Sequence, residues 1–219
     1  SRRLNSANHT VFFAIRTANN DGHKYINELY DKGVRIFVCT IRPEKLQNGA
    51  YYLLVEDSLK ALQHLGAYAR KSFSGNVIAI GGSNGKTIVK EWSRVLIAQD
   101  KKVCISPRSY NSQIGVAVSL WQLNENFEAG IFEAGISEPN EMQSLHDMIL
   151  PDTGLITNIG EAHGANFSSI EEKLNEKLKL FEGCKRLICS QDNPMLFEKV
   201  SEFCRSNNIE LISYDTESM

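Results

Sequence analysis

The run Gly82-Ser83-Asn84-Gly85-Lys86-Thr87 constrains this chain more than any other stretch. It follows an apolar segment, Val77-Ile78-Ala79-Ile80, and opens a segment of helical periodicity from Ile88 to Ala98. A strand, a glycine-rich turn and a helix beginning with Lys-Thr are what a phosphate cradle requires. The glycines admit backbone torsions that side chains forbid. The turn can then aim its N–H groups at an anion held at the positive end of the helix. In such a cradle Lys86 reaches the outer phosphates and the Thr87 hydroxyl binds Mg²⁺. Gly82, Ser83, Asn84, Gly85, Lys86 and Thr87 are therefore the expected nucleotide-binding residues. A chance glycine-rich turn is the bland alternative, and Lys-Thr in strand–turn–helix context argues against it. The spacing is not that of the standard P-loop, which has a glycine five residues before Gly85, where Ile80 stands.

With 219 residues the chain can bury a real core in one large domain or two small ones. A net charge of −2 gives no reason to expect nucleic acid or an anionic membrane as partner. No apolar run approaches the ~20 residues of a membrane span, and the N-terminus carries no signal peptide pattern. The five cysteines, Cys39, Cys104, Cys184, Cys189 and Cys204, are odd in number and form no CxxC. Reduced thiols packed as small core hydrophobes in a cytoplasmic protein are the expectation. Both ends read as cuts in a longer protein: Ser1-Arg2 runs straight into structured sequence, and the chain stops just after the strand-like run Ile209 to Ile212.

The pattern predicts two alternating α/β blocks. In the first, strands are expected at Val11 to Ile15, Arg35 to Thr40 and Tyr51 to Val55. Asp21-Gly22-His23 forms a turn and cap before a helix through Tyr30, and Asp57 or Ser58 caps a helix to about Lys71. The polar stretch Ser72 to Asn76 marks a boundary, giving domains 1–73 and 74–219. In the second block, strands are expected at Val77–Ile80, Val103–Ile105, Ala129–Glu133, Gly154–Thr157, Arg186–Cys189 and Glu210–Ile212, with helices between them. This alternation predicts an α/β fold with a parallel sheet covered on both faces. Ligands of such sheets bind beyond the carboxyl ends of the strands.

Several residues of chemical interest stand at those ends. Glu133 closes an apolar run, where a carboxylate can meet a metal-bound phosphate; a lone Glu is otherwise a solvated or capping residue. Asn158 to His163 follows the strand ending at Thr157. A lone His is more often structural than a ligand, and Mg²⁺ prefers oxygen donors. Pro107 to Val116 reads as an Asn/Ser loop that caps the next helix. Lysines on helices are usually solvated, and Lys173, Lys179 and Lys185 are expected to be so.

The shortened loop G-[ST]-N-G-K-[ST] resembles the ATP loop of the Mur ligases, the family that adds amino acids to the peptidoglycan precursor. Gly81 stands where that family usually has Thr. Val89-Lys90-Glu91 and the N-S-x-I-G-V of Asn111 to Val116 resemble the branch that adds D-alanyl-D-alanine, with Ser112 in place of a second Asn. Phe132-Glu133-Ala134-Gly135 resembles the family's E-x-G, and Asn158 to His163 its N-x-x-x-x-H. In the first block, F-F-A-I followed by Asp21-Gly22-His23 resembles the family's UDP-binding domain. Asp21 and His23 are expected to shape a turn there.

The resemblance implies a small N-terminal α/β domain for the UDP-linked substrate, followed by a truncated ATP-binding domain. It implies Asn158 as a nucleotide contact. It implies two Mg²⁺ sites drawing on Thr87, Glu133, His163 and Lys177, the last carbamylated by CO₂. It implies catalytic parts for Lys86, Lys177 and His163, and substrate contacts from Ser1, Arg2, Asn111 and Ser112. Carbamylation needs a neutral amine, hence a lowered lysine pKa. The implied reaction joins D-alanyl-D-alanine to UDP-N-acetylmuramoyl-tripeptide with ATP, through an acyl phosphate. The segments S-P-R-S-Y-N-S-Q-I-G-V and F-E-A-G-I-S are most similar to forms fused to an alanine racemase. The rival readings are another ligase of the superfamily, acting on the dipeptide nucleotide or on folate, and a nucleotide-binding module that is not an enzyme.

Overall fold

A computed structural model describes residues 6–160 and 167–215. The chain divides into two compact units between His64 and Leu65. The expected substrate contacts Ser1 and Arg2, and His163, lie outside the described residues.

The first unit holds a three-stranded parallel sheet. Its strands are β1 (Val11–Phe13), β4 (Ile36–Cys39) and β5 (Tyr51–Leu54), in the order β1-β4-β5. Between β1 and β4 the chain makes a two-residue antiparallel pair that the sequence pattern does not announce, β2 (Arg16–Thr17) with β3 (Asn20–Asp21). A 3₁₀ turn, Gly22–Tyr25, then leads into α1 (Ile26–Asp31). Asp21 and His23 shape this turn as expected. Asp21 Oδ1 accepts the His23 backbone N–H at 3.0 Å and contacts Nδ1 at 2.6 Å. His23 Nε2 accepts the Thr40 N–H at 3.0 Å, which places the ring proton on Nδ1. Gly33, at φ 99°, ends α1 in a conformation that side chains avoid. The unit's core gathers Ala14, Ile26, Leu29, Val34, Phe37 and Cys39, with Phe37 stacked on Tyr52. Asp57 caps α2 (Ser58–Ser72), its Oδ1 accepting the N–H groups of Leu59 and Lys60.

The second unit is built on six strands: β6 (Asn76–Gly81), β7 (Val103–Ile105), β8 (Ala129–Glu133), β9 (Thr153–Ile156), β10 (Arg186–Ser190) and β11 (Glu210–Tyr214). All pair in parallel, in the order β11-β10-β9-β6-β8-β7. The helices between them are α3 (Lys86–Ile97), α4 (Gln113–Leu120), α5 (Glu141–Ile149), α6 (Ile170–Leu178) and α7 (Pro194–Asn207). A 3₁₀ turn, Lys179–Phe181, continues from α6.

Register assigns the faces, because side chains alternate along each strand. Ala79 pairs with Gly154, and Gly81 with Ile156. A Cβ on Gly81 or Gly154 would strike the Phe181 ring, at 2.9 and 2.4 Å, so this first face lies under the 3₁₀ turn. The second face carries Ile78, Ile80, Ile131, Glu133, Leu155 and Ile188. Helix α3 packs there against β6, β7 and β8. Helical periodicity from Ile88 onward suits α3, yet its apolar residues Ile88, Trp92, Val95 and Leu96 face solvent, each more than half exposed.

Asp152 anchors the base of the sheet. Its Oδ2 accepts the Val77 N–H and meets Arg70, both at 3.0 Å. Arg70 also donates to the carbonyls of Ile149 and Leu150, at the C-terminal end of α5. The five cysteines are free and buried, as expected of core thiols. Burial pushes Cys184 and Cys189 up to about 12. Among the described residues, no helix is long and apolar enough to cross a membrane.

Candidate functional site

Strand order brings the motifs together. β6 ends at Gly81, and its two neighbours are β8 and β9. The glycine-rich loop therefore emerges between Glu133, at the end of β8, and the Thr157–Gly160 segment that follows β9. These three stretches are far apart in sequence and adjacent at the carboxyl edge of the sheet.

The loop needs its glycines for two different reasons. Gly82 sits at φ 124°, and a Cβ there would lie 2.1 Å from Thr157 Oγ1. Gly85 has open space around it but φ 79°, and it precedes the first turn of α3. The loop rests on the β9 segment. Ser83 N–H donates to Asn158 O at 2.9 Å, and Asn84 N–H donates to Asn158 Oδ1 at 3.0 Å. Thr157 Oγ1 donates to Asn84 O at 2.6 Å, and Gly160 N–H donates to Ser83 Oγ at 3.1 Å. Asn158 is thus a buttress of the loop in this conformation. Thr157 does the same work; nothing but its place at a strand end marks it in the sequence.

Two lysines converge on one carbonyl. Lys86 Nζ donates to Gly82 O at 2.9 Å and to Ser83 O at 3.1 Å. Lys177 Nζ donates to the same Gly82 O at 3.1 Å. Lys177 is buried, and its amine falls to about 8, through burial first and then the charges of Lys86 and Lys173. Burial also lowers Lys86, with Glu133 opposing and Lys173 adding to the shift. Lys173 corrects the expectation of a solvated lysine: it is only 2 % exposed, and its Nζ donates to Gly160 O at 2.5 Å. Periodicity shows which helix face a residue shares but not which face the sheet will cover. Lys179 and Lys185 do keep solvent contact and pair with Glu176 and Asp152.

On the other side of the loop, Thr87 Oγ1 donates to Glu133 Oε2 at 2.8 Å. Glu133 is fully buried, and among the described residues its Oε1 has no hydrogen-bond partner. A buried carboxylate oxygen without a partner is costly. A hydroxyl beside it supplies a second oxygen, and hard cations such as Mg²⁺ take such oxygens. Thr87 and Glu133 therefore fit a cation, and the paired ammonium groups across the loop fit a polyanion. Lys177 reaches the same loop from α6, and no cluster of three His, Cys, Asp or Glu occurs among the described residues.

The Asn111–Ser112 segment lies beside this edge. Ser112 caps α4, its Oγ accepting the Gly115 N–H at 3.3 Å. Asn111 O accepts the N–H of Gly135, two residues beyond Glu133, at 2.9 Å.

Comparison with known proteins agrees with this arrangement. The chain is 33% identical over 172 residues to the UDP-N-acetylmuramoyl-tripeptide--D-alanyl-D-alanine ligase of Rickettsia prowazekii, covering 78% of this chain and 38% of that protein. It spans less than half the length of the curated relatives it matches. Its fold is similar to that of MurF from Acinetobacter baumannii, with TM-score 0.84 at 23% identity over 96% of this chain and 47% of that one. It is also similar to that of MurF ligase from Thermotoga maritima in complex with ADP, with TM-score 0.80 at 24% identity over 98% of this chain and 50% of that one. The family model of the Mur ligase middle domain matches residues 80–219, the stretch that carries the loop, Glu133 and Lys177, and on that match the chain belongs to the Mur ligase family.

Proposed function

We propose that this chain forms the UDP-substrate and ATP-binding parts of a ligase that joins D-alanyl-D-alanine to UDP-N-acetylmuramoyl-tripeptide in the cytoplasm. The observation that carries the reading is the convergence of Lys86 and Lys177 on the Gly82 carbonyl, opposite the Thr87–Glu133 pair. Two ammonium groups on one neutral acceptor repel each other; a bound polyphosphate relieves this at Lys86, and carbamylation removes the positive charge of Lys177. The names of the relatives point the same way, and the ADP complex of the Thermotoga maritima protein supports ATP as the nucleotide.

In this reading residues 1–73 hold the UDP-linked substrate, with Ser1 and Arg2 near the UDP group, and residues 74–219 hold ATP. Gly82 to Thr87 cradle the phosphates, with Asn158 behind them. Lys86 swings from Gly82 O to the transferring phosphoryl group and balances its charge. The substrate's terminal carboxylate oxygen bonds to the γ-phosphorus as ADP leaves. The D-alanyl-D-alanine amine then attacks the acyl carbon, and phosphate departs. Asn111 and Ser112 face the UDP-linked peptide. Thr87 and Glu133 would hold one Mg²⁺, and carbamylated Lys177 with Glu133 and His163 a second; when bound, Mg²⁺ neutralises phosphate charge. The lowered pKa of the Lys177 amine favours the neutral form that reacts with CO₂.

The test is ATP-dependent phosphate release by the whole protein with three substrate pairs: the tripeptide nucleotide with D-alanyl-D-alanine, and the dipeptide nucleotide or folate each with free amino acids. The tripeptide nucleotide should be preferred, and Lys86→Ala should abolish the release. Preference for either other acceptor reassigns the ligase, and no release with any of them leaves a binding module.

A further inference from the structure

Lys90 lies one turn beyond Lys86 on α3 and is fully buried. Burying an ammonium is costly unless its donors are satisfied. Here it has partners: Nζ donates to Ser106 O at 2.6 Å and to Arg108 O, and Glu91 Oε1 stands 3.4 Å away. Two carbonyls take two of its three N–H donors, and the Glu91 carboxylate balances its charge. Four of the six apolar residues of α3 face outward while Lys90 faces in, so apolar packing alone does not explain the lysine on its inner side.

Both carbonyls belong to the loop that leaves β7. That loop passes through Arg108 at φ 49°, a conformation uncommon for any residue but glycine. Its far end is tied as well, since Asn111 O accepts the Gly135 N–H at 2.9 Å. A Cβ on Gly135 would meet the Asn111 carboxamide at 3.1–3.3 Å, so the two lie in contact. One loop is thus held at its start by the helix that begins at the phosphate cradle. At its end it is held by the segment that leaves Glu133.

We propose that Lys90 is a positioning residue whose buried ammonium fixes the Ser106–Asn111 loop, setting the contact with the UDP-linked peptide relative to the phosphate loop. What the loop holds rests on the function proposed above; the tie itself rests on geometry alone.

Two variants test it in the whole ligase. Lys90→Met removes every donor, and Lys90→Gln keeps a shorter one. Lys90→Met should raise KM for the tripeptide nucleotide about tenfold or more while KM for ATP stays within about twofold. Lys90→Gln should shift the same constant less. A merely structural role lowers the active fraction, hence kcat, and leaves both KM values alone. Amide exchange supplies the second readout: the Gly135 N–H should exchange faster by at least about tenfold in either variant, with the β6 amides unchanged. An unchanged KM for the nucleotide in an active variant, an equal rise in both KM values, or unchanged Gly135 exchange overturns the proposal. So does failure of both variants to fold, which makes Lys90 a core residue. A wild-type protein that never turns over the tripeptide nucleotide removes the ligase reading and the substrate half of this one, and exchange at Gly135 then decides the tie.

Discussion

On the first face of the six-stranded sheet, Ala79, Gly81, Gly154, Ile156, Leu187 and Cys189 are all buried. On the second face, Ile80, Ile131 and Glu133 are buried beneath α3, whereas Leu155 and Ile188 are half-buried and Ile212 is 40 % exposed. The same strands supply both sets of residues. One face is closed by glycine against aromatic packing under Phe181, and the other is closed only where α3 lies. The candidate site sits where the two layers meet. Lys86, Thr87 and Lys90 come from α3 on the second face, and Lys177 comes from α6, which runs into the 3₁₀ turn on the first. The contrast teaches that the buried part of the second face serves polar chemistry as much as packing.

Glu133→Gln tests that point with the largest expected effect. Ligation by the whole protein should fall about 10²–10³-fold, as when a charge-stabilising group is lost, while the melting temperature of this chain should hold or rise, because a buried charge is removed. Retained turnover would make Glu133 an ordinary buried residue and erase the distinction between chemistry and packing on that face.

Adjacent residues of β10 test the two faces directly. Leu187→Ala should cost about 2–5 kcal/mol in urea unfolding, because a fully buried side chain leaves a cavity. Ile188→Ala should cost about 1 kcal/mol or less, since that side chain is partly in water already. Equal costs would break the comparison.

Lys177→Met should stabilise the nucleotide-free chain at pH 7. The amine falls to about 8 on folding, so the folded state binds its proton less tightly than the unfolded state. The penalty is present in full below pH 8 and fades as pH rises toward the unfolded lysine value. Its size is on the order of 3 kcal/mol at most. Thermal unfolding of both proteins between pH 7 and pH 10 should show the advantage shrinking; an advantage independent of pH would point to packing instead.

Asp152→Asn is the mildest change and concerns the base of the sheet, shared by both faces. Burial raises the carboxyl, but the Val77 N–H, Lys185 and Arg70 outweigh it, and the net shift is downward. Its contribution, about 1 kcal/mol, is present above the unfolded carboxylate value and is lost as pH falls through the lower folded value. Wild type and variant should therefore converge in acid. A gap that persists there would assign the effect to hydrogen-bond geometry.

Much of the fold is legible in the residues alone. The strands of both units fall within a residue or two of their expected places, because runs such as Val77–Ile80 and Ala129–Phe132 are apolar on both faces and end at turn or polar residues. The β2–β3 pair is not legible, because two-residue strands carry no periodicity. The burial of Lys173 and of Lys90 is hidden for a single reason. A lysine's burial depends on which carbonyls the fold presents to it, Gly160 in one case and Ser106 with Arg108 in the other.

The elements and the loop follow from local residue chemistry, because helix and strand periods, capping residues and glycine torsions are local properties. Gly82 and Gly85 announce their backbone needs wherever the chain goes. Long-range strand pairing sets β6 between β8 and β9, and hence brings Glu133, Asn158 and the loop to one edge. Packing of α3 on the sheet turns Thr87 and Lys90 inward and Trp92 outward. Those outcomes depend on strand pairing and on which buried polar groups can be satisfied together, and neither is written in any single stretch of residues.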